Sequence, residues 1–119
     1  MKKTLVIGAS TNSDRYAYKA CVMLKEYKHE IYAFGLKKGL INNIEIKTDW
    51  PNNELFDTIT LYVGPKHQSE FFNKIVDLKP KRVIFNPGTE NSEFGELLTK
   101  NNIEALEACT LVLLKTGQY

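Results

Sequence analysis

Short apolar runs alternate with amphipathic segments along the whole chain. Runs of apolar and β-branched residues that stop at glycine, proline or asparagine predict strands, and they lie at residues 5–7, 30–34, 44–47, 58–63, 82–85 and 103–107. Helical spacing of apolar positions predicts three helices, which begin near Arg15, Ser69 and Ser92. Residues 36–43 are predicted to form a loop, and residues 108–114 fit either a continued strand or a terminal helical turn.

Strands that alternate with helices through short loops predict a parallel sheet with helices on both faces. Right-handed crossovers leave few topologies for such a chain. We therefore predict an α/β, three-layer, Rossmann-like fold with strand order 3-2-1-4-5-6. The third strand, at residues 44–47, is predicted to be a short edge strand, and residues 1–119 are predicted to form one domain.

The charge balance, the apolar runs and the cysteines of the chain argue against several classes of binding partner. Sixteen basic and 14 acidic residues give a net charge of +2, without the clustered basic field of a nucleic-acid or membrane-surface binder. No apolar run reaches the roughly 18 residues of a membrane span, and the run after Lys3 is too short for a secretory leader. Cys21 and Cys109 are far apart and lack metal-ligand spacing, which predicts reduced thiols, a cytoplasmic protein and no metal site.

Ligands of such sheets bind beyond the carboxyl ends of the strands. Four glycine-containing loops are predicted there, at residues 8–14, 35–39, 63–67 and 86–91. Each glycine is explained either by the end of a strand or by the close approach of a ligand to the backbone. Together, the four loops at one edge of the sheet favour a binding site.

The loop after the first strand is a candidate phosphate cradle. It runs Gly8-Ala9-Ser10-Thr11-Asn12-Ser13-Asp14 and departs from the G-x-G-x-x-G pattern at its second and third glycines. Ser10, Thr11, Asn12 and Ser13 offer side-chain hydrogen bonds to a phosphate, while Ser13 or Asp14 is equally suited to cap the next helix. Arg15 is either a bidentate phosphate ligand or a solvated surface charge.

The end of the second strand discriminates between nucleotides. Folds that bind NAD place an acidic residue there for the ribose hydroxyls, whereas this chain has Phe34-Gly35-Leu36-Lys37-Lys38. Two lysines suit a ligand with a phosphate on its ribose, either NADP or coenzyme A. A solvated basic loop is the alternative explanation.

No catalytic set is evident in the sequence. His67 lies near the same edge without an apparent serine or cysteine nucleophile, which favours a surface histidine. Glu90, in the turn Asn86-Pro87-Gly88-Thr89-Glu90-Asn91, is either a general base or a residue that orients the backbone of the turn or caps the next helix, and the second role is the commoner one. Cys21 falls on the apolar face of the first helix.

Three groups of residues give the chain a family resemblance: Gly8-Ala9-Ser10 with Arg15 and Tyr18, then Tyr62-Val63-Gly64-Pro65, then Pro87-Gly88-Thr89-Glu90. The chain resembles the small stand-alone CoA-binding-domain proteins, which are similar to the CoA-binding N-terminal domain of the succinyl-CoA synthetase alpha subunit. The resemblance implies a Rossmann-like fold that binds coenzyme A or a related adenine nucleotide. It does not imply ligase activity, because the phosphorylated histidine of the synthetase belongs to another domain.

The resemblance also implies roles for particular residues. Gly8, Ser10, Thr11 and Arg15 would contact the phosphates, and Lys37 would lie near the ribose phosphate or diphosphate. Val63 and Pro65 would flank the adenine or the pantetheine arm, and Gly88 and Glu90 would line the far side of the cleft. The chain departs from many relatives after the second strand, where they carry Asn-Pro and it carries Phe34-Gly35.

These observations predict a module that binds coenzyme A or an acyl-CoA and has no catalytic site of its own. A small NADP-binding oxidoreductase subunit and a ligand-free interaction module remain alternatives; in the latter, residues 111–114 would pair two subunits or contact a partner subunit. The predicted cofactor-binding residues are Gly8, Ser10, Thr11, Asn12, Arg15, Gly35, Lys37, Lys38, Val63, Pro65, Gly88 and Glu90.

Overall fold

Seven strands form a single sheet in the computed structural model, which describes all 119 residues. The strands are β1 (Thr4–Ile7), β2 (Ile31–Phe34), β3 (Gly39–Ile41), β4 (Ile44–Lys47), β5 (Thr58–Leu61), β6 (Arg82–Phe85) and β7 (Glu104–Glu107). The helices are α1 (Tyr16–Glu26), α2 (Phe72–Leu78), α3 (Ser92–Lys100) and α4 (Thr110–Lys115). None of the helices has the length and apolar character that a membrane crossing requires.

The predicted α/β class and Rossmann-like architecture are confirmed. The strand order is β3-β4-β2-β1-β5-β6-β7, and every neighbouring pair is parallel except β3 with β4. Without β3, the six parallel strands have the predicted order. The order follows from the crossovers: β1 is central, the chain moves outward on one side, and it returns past β1 to continue on the other.

The edge of the sheet differs from the prediction. Residues 36–43 were expected to be a loop, but Gly39–Ile41 forms β3 and pairs antiparallel with β4, so β4 is not an edge strand. The two strands are joined by Asn42-Asn43, and Asn42 has a φ of 54°, a conformation that asparagine tolerates. In the sequence, the Asn42-Asn43 pair is the one signal of a turn at this place. The strand before it was not predicted, because three residues that begin with glycine are too few to show an alternating pattern.

The other predicted elements are present, with small differences at their ends. The helix expected from Ser69 begins as a single 3-10 turn, Ser69–Phe71, before α2. The ambiguous segment after residue 107 is helical, as α4. The strand expected over residues 58–63 ends at Leu61, which leaves Tyr62 and Val63 in the following loop.

Each face of the sheet carries its own apolar core. Side chains of successive strand residues point to opposite faces, so Leu5 and Ile7 face α2 and α3, while Val6 faces α1 and α4. The first core includes a stack of Phe72 on Phe94, with ring centroids 4.3 Å apart. Two covered faces explain why β1, β5 and β6 are buried along their full length.

Tyr119 closes the amino end of the sheet. Its hydroxyl lies 2.6 Å from Thr4 Oγ1, and its ring lies 4.6 Å beneath the guanidinium carbon of the buried Arg82. Arg82 Nε donates to Thr58 Oγ1 at 2.8 Å, and burial raises the pKa of Tyr119. This end of the sheet is therefore filled by its own side chains, and the carboxyl end is the one shaped by loops.

The loop after β1 is packed tightly onto the end of β2. The carbonyl oxygen of Phe34 accepts hydrogen bonds from Gly8 N at 3.0 Å and Ala9 N at 2.9 Å. Gly8 has a φ of +100°, which favours glycine, and a Cβ added there would lie 3.0 Å from the Tyr62 carbonyl oxygen. Gly35 is buried, and a Cβ added there would lie 2.4 Å from the Ala9 carbonyl oxygen. Neither position has room for a side chain.

We expect Gly35→Ala to lower the free energy of unfolding by about 1–3 kcal/mol, because the added methyl group overpacks a site closed by backbone. Gly64→Ala is the matched control, since a Cβ at Gly64 meets nothing within 4 Å and its φ is −63°. Urea denaturation of the two variants measures the difference. Equal stability of both variants would contradict the packing described here.

We also expect the free energy of unfolding to decrease above pH 9, in part because of the buried thiol of Cys21. Burial raises the pKa of this thiol from 9.0 to about 12, so above pH 9 the unfolded state releases a proton that the folded state keeps. The stabilisation is complete below pH 9 and is lost between pH 9 and 12, at up to about 1.4 kcal/mol per pH unit.

The measurement is the free energy of unfolding from pH 8 to 10.5 for the wild type and Cys21→Ala. Only the slope is compared, because the substitution also changes packing. Above pH 10 the raised pKa values of the buried Tyr62 and Tyr119 add to the slope in both proteins. Parallel curves between pH 9 and 10 would contradict the role of Cys21.

Candidate functional site

Five loops meet at the carboxyl end of the sheet and together form what we call the carboxyl rim. They are residues 8–15, 35–38, 62–68, 86–91 and 108–109. Four of them are the loops predicted from the sequence; the second is one residue shorter than expected because Gly39 belongs to β3. The fifth precedes α4. The rim carries four cationic side chains, Arg15, Lys37, Lys38 and Lys66, and two carboxylates, Asp14 and Glu90.

The first rim loop presents unpaired backbone donors at the start of α1. The amides of six residues make no hydrogen bond within the protein: Ser10, Thr11, Ser13, Tyr16, Ala17 and Tyr18. No side chain caps α1, so neither Ser13 nor Asp14 has the capping role considered above. An uncapped helix start next to free loop amides has the polarity that favours an anion.

Side chains of the same loop fix its conformation. Ser10 Oγ accepts a hydrogen bond from Asn12 N at 3.1 Å, and Asn12 Oδ1 accepts one from Asp14 N at 3.0 Å. Thr11 places its methyl group against Gly39, where an added Cβ would lie 2.5 Å from Thr11 Cγ2. Ser10 and Asn12 therefore hold the loop with their acceptors, and the Ser10 hydroxyl proton and the Asn12 NH2 group are left for a ligand.

The cationic residues predicted to meet phosphate lie at the surface of the rim. Arg15 occupies the position just before α1 and forms no ion pair. Lys37 and Lys38 are exposed in the bend between β2 and β3 and form none either. Gly35, by contrast, is buried beneath the first loop, next to the Ala9 carbonyl, and is not part of the rim surface.

A chain of buried hydrogen bonds supports the rim from below. Asn86 Nδ2 donates to Thr60 Oγ1 at 2.7 Å and to the Leu61 carbonyl at 3.0 Å, while Asn86 Oδ1 accepts from Thr110 N at 2.9 Å. The Thr60 and Thr110 hydroxyl oxygens are 2.7 Å apart. Asn86 thus joins β5, β6 and α4. Buried amides of this kind are costly to leave unpaired, so the network fixes one arrangement of these elements.

Tyr62 lies against Gly8 at the start of the third rim loop. Burial raises the pKa of its phenol, and its buried hydroxyl makes no hydrogen bond within the protein. Its ring belongs to the core on the α1 side of the sheet. Tyr62 therefore supports the rim from within.

The loops after β5 and β6 contain the remaining predicted residues. Val63 is half-buried, Pro65 begins the single 3-10 turn Pro65–His67, and the His67 side chain is exposed with no hydrogen bond. Gly88 has a φ of +93°, and its amide donates to Glu90 Oε1 at 2.9 Å. Glu90 therefore orients the turn, which is the second of the two roles considered above.

Sequence reasoning missed the buried polar residues that hold these loops together. Gln68 is fully buried, and its side chain hydrogen-bonds to Val63, Thr89 and Asn91. Gln68 lies in a polar stretch, and Thr110 is a single polar residue before an apolar run. Neither pattern shows that the side chain makes buried hydrogen bonds. Asn86 alone had a signal, as a polar residue directly after a buried strand.

Two surface depressions lie away from the rim. One, of about 280 Å³, lies between the end of α1 and strands β2 and β4 and is lined by Lys25, His29, Tyr32 and Lys47, among others. The other, of about 240 Å³, lies between Phe72 and the outer side of α3. Neither contains a rim loop, and we do not assign a nucleotide to either.

Comparison with known proteins agrees with this architecture. The family model described as "CoA binding domain" matches residues 2–115. A crystal structure of an uncharacterized protein is 49% identical, with a TM-score of 0.96, and the match covers 100% of this chain and 98% of that one. No relative was found among curated proteins.

More distant structures share the fold. A Thermus thermophilus protein described as cell-free ID.343 is 18% identical, with a TM-score of 0.85 and coverage of 99% of this chain and 91% of that one. A hypothetical protein from Pyrococcus horikoshii OT3 is 20% identical, with a TM-score of 0.87 and coverage of 97% and 82%. At these identities the similarity establishes the fold alone.

Proposed function

This chain belongs to the CoA binding domain family, and we propose that it binds coenzyme A or an acyl-CoA at its carboxyl rim, without a catalytic set of its own. The observation that carries the proposal is the group of six unpaired amides in the first rim loop and the first turn of α1. A diphosphate carries the negative charge that such donors bind.

The conformation of the first rim loop depends on glycine at positions 8 and 35. A Cβ at Gly8 would lie 3.0 Å from the Tyr62 carbonyl oxygen, and a Cβ at Gly35 would lie 2.4 Å from the Ala9 carbonyl oxygen, so the loop packs against the ends of β5 and β2 only with glycine at both positions. Arg15 adds a guanidinium beside the free amides, and such a group binds phosphate through paired hydrogen bonds. Ser10, Thr11 and Asn12 supply further donors in the same loop.

The ribose end of the ligand is assigned from the loop after β2. Lys37 and Lys38 follow β2 where NAD-binding folds place an acidic residue, and they are exposed and unpaired. They suit the 3′-phosphate of coenzyme A and equally the 2′-phosphate of NADP. Family membership favours coenzyme A. An NADP-binding oxidoreductase subunit remains the second candidate, favoured only by these lysines.

Val63, Pro65, Gly88 and Glu90 are assigned to the other half of the proposed site. They lie in the loops after β5 and β6, next to the first rim loop along the sheet. In this proposal Val63 and Pro65 flank the adenine or pantetheine arm, and Gly88 and Glu90 line the opposite wall. Glu90 accepts a hydrogen bond from the Gly88 amide in this turn, and the proposal gives it no role as a general base.

Titration calorimetry with CoA, acetyl-CoA, NADP and NAD tests the proposal. We expect heat of binding with the two CoA species and a weaker or absent signal with NAD. A flat trace for both CoA species with folded protein would overturn the proposal and favour a ligand-free interaction module. Binding of NADP in preference to CoA would favour the oxidoreductase subunit.

We expect Arg15→Ala to weaken CoA binding by about 1.5–3 kcal/mol, the range for a hydrogen bond to a charged group. Lys25→Ala is the matched control, because it removes the same charge from the last turn of α1, at the opposite end from the rim. Calorimetry compares the two affinities. A loss near zero for Arg15→Ala, or an equal loss for both variants, would make Arg15 a surface charge.

We expect the lysine pair to discriminate CoA from 3′-dephospho-CoA. In the wild type, CoA should bind more tightly than its dephosphorylated form, and the double variant Lys37→Ala/Lys38→Ala should lose most of that preference. Because both lysines are exposed, the change is expected to be roughly three- to tenfold. An unchanged preference in the double variant would remove both lysines from the ribose phosphate.

A further inference from the structure

Gln68 uses the full hydrogen-bonding capacity of its NH2 group inside the protein. It lies between the 3-10 turns Pro65–His67 and Ser69–Phe71, with 0% of its surface exposed. Its Nε2 donates to the Val63 carbonyl at 2.9 Å and to the Thr89 carbonyl at 2.7 Å. Its Oε1 accepts from Asn91 Nδ2 at 3.0 Å.

The bond to Val63 lies within the loop after β5, and the bonds to Thr89 and Asn91 join this loop to the loop after β6, to which it has no other direct hydrogen bond. The β5–β6 pairing ends at Leu61 and Phe85, and no backbone–backbone hydrogen bond links residues 62–68 with residues 86–91. Val63 lies in the first of these loops and Thr89 in the second. Beyond the end of the sheet, the Gln68 side chain therefore sets the spacing between them.

The connection continues to α3. Asn91 donates to Gln68 with its NH2 group and accepts from Phe94 N at 3.2 Å with Oδ1, which caps the start of α3. Thr89 is also held from the other side, since its amide and hydroxyl both bond to the Asn86 carbonyl. One buried amide thus links the loop after β5 to a turn that is itself fixed to β6 and α3.

We propose that Gln68 is a positioning residue of the nucleotide site, which holds the loops after β5 and β6 at a fixed spacing before the ligand binds. This inference rests on the proposed function, because the two loops carry Val63, Pro65, Gly88 and Glu90. A ligand that enters between loops of fixed spacing does not have to order them, and the saved entropy appears as affinity. Gln68 itself does not touch the ligand.

The variant Gln68→Glu distinguishes the loss of these hydrogen bonds from a general packing defect, because only the former is expected to depend on pH. At neutral pH a carboxylate in place of the amide faces the Val63 and Thr89 carbonyls with no proton to donate. Protonation restores one O–H donor, and burial between two carbonyl oxygens favours the protonated form. CoA binding by Gln68→Glu is therefore expected to recover as the pH falls.

The measurement is the ratio of the CoA dissociation constants of Gln68→Glu and the wild type from pH 8 to pH 5.5. The ratio cancels the titration of the ligand's own phosphate. We expect a ratio of roughly ten at pH 8, since two buried carbonyls lose their donor, and a smaller ratio that stays above one at the acidic end, because the carboxylic acid has one donor for two carbonyls. Gln68→Met should also weaken binding, but with a ratio that does not change with pH.

Thr58→Val is the control variant, because it is expected to lower the stability of the protein at a place far from the rim. It removes the buried hydrogen bond from Arg82 Nε at the opposite end of the sheet, and we expect it to leave CoA binding unchanged. A Gln68→Glu ratio that stays constant with pH would overturn the inference, as would equal weakening by Thr58→Val. If the wild type itself binds no CoA species, the proposed function fails first and the inference fails with it.

Discussion

The close contact between the loop after β1 and the end of β2 is the constraint on which the rest of the carboxyl rim depends. One carbonyl, that of Phe34, accepts the amides of both Gly8 and Ala9, and Gly35 fits beneath the Ala9 carbonyl without a side chain. This contact uses the first two amides of the loop for structure. Six of the amides that follow, in the rest of the loop and the first turn of α1, have no hydrogen-bond partner within the protein. The same geometry that closes the fold therefore creates the candidate anion site.

The rest of the rim is held by side chains rather than by backbone. Asn86 joins β5, β6 and α4, and Gln68 joins the loops after β5 and β6. Both amides are buried, where a hydrogen bond is stronger and an unpaired polar group more costly than at the surface. The two halves of the rim are thus built differently: glycine packing fixes the half proposed for the phosphates, and amide hydrogen bonds fix the other half.

The opposite end of the sheet shows why the rim is the better candidate for a ligand. There Tyr119 and Arg82 pack against each other, Thr4 Oγ1 lies 2.6 Å from the Tyr119 hydroxyl, and Thr58 Oγ1 accepts a hydrogen bond from Arg82 Nε. The carboxyl rim instead carries glycines, free amides and a surplus of cationic side chains. This asymmetry is common to open parallel sheets, because all strand ends that lead into helices lie at one edge.

The sequence by itself determined the α/β class and four of the five rim loops, because hydrophobic periodicity and glycine positions are local signals, and the rule of right-handed crossovers then gave the order of the six parallel strands. It also located the candidate phosphate loop and the basic residues after β2. Only the tertiary structure decided that residues 39–41 pair with β4, that Gly35 supports the first loop from beneath, and that Gln68 and Asn86 are buried connectors. Each of these depends on a partner distant in the chain, or on burial that such partners create. A buried glutamine and an exposed one look the same in a sequence, since their difference lies in what surrounds them.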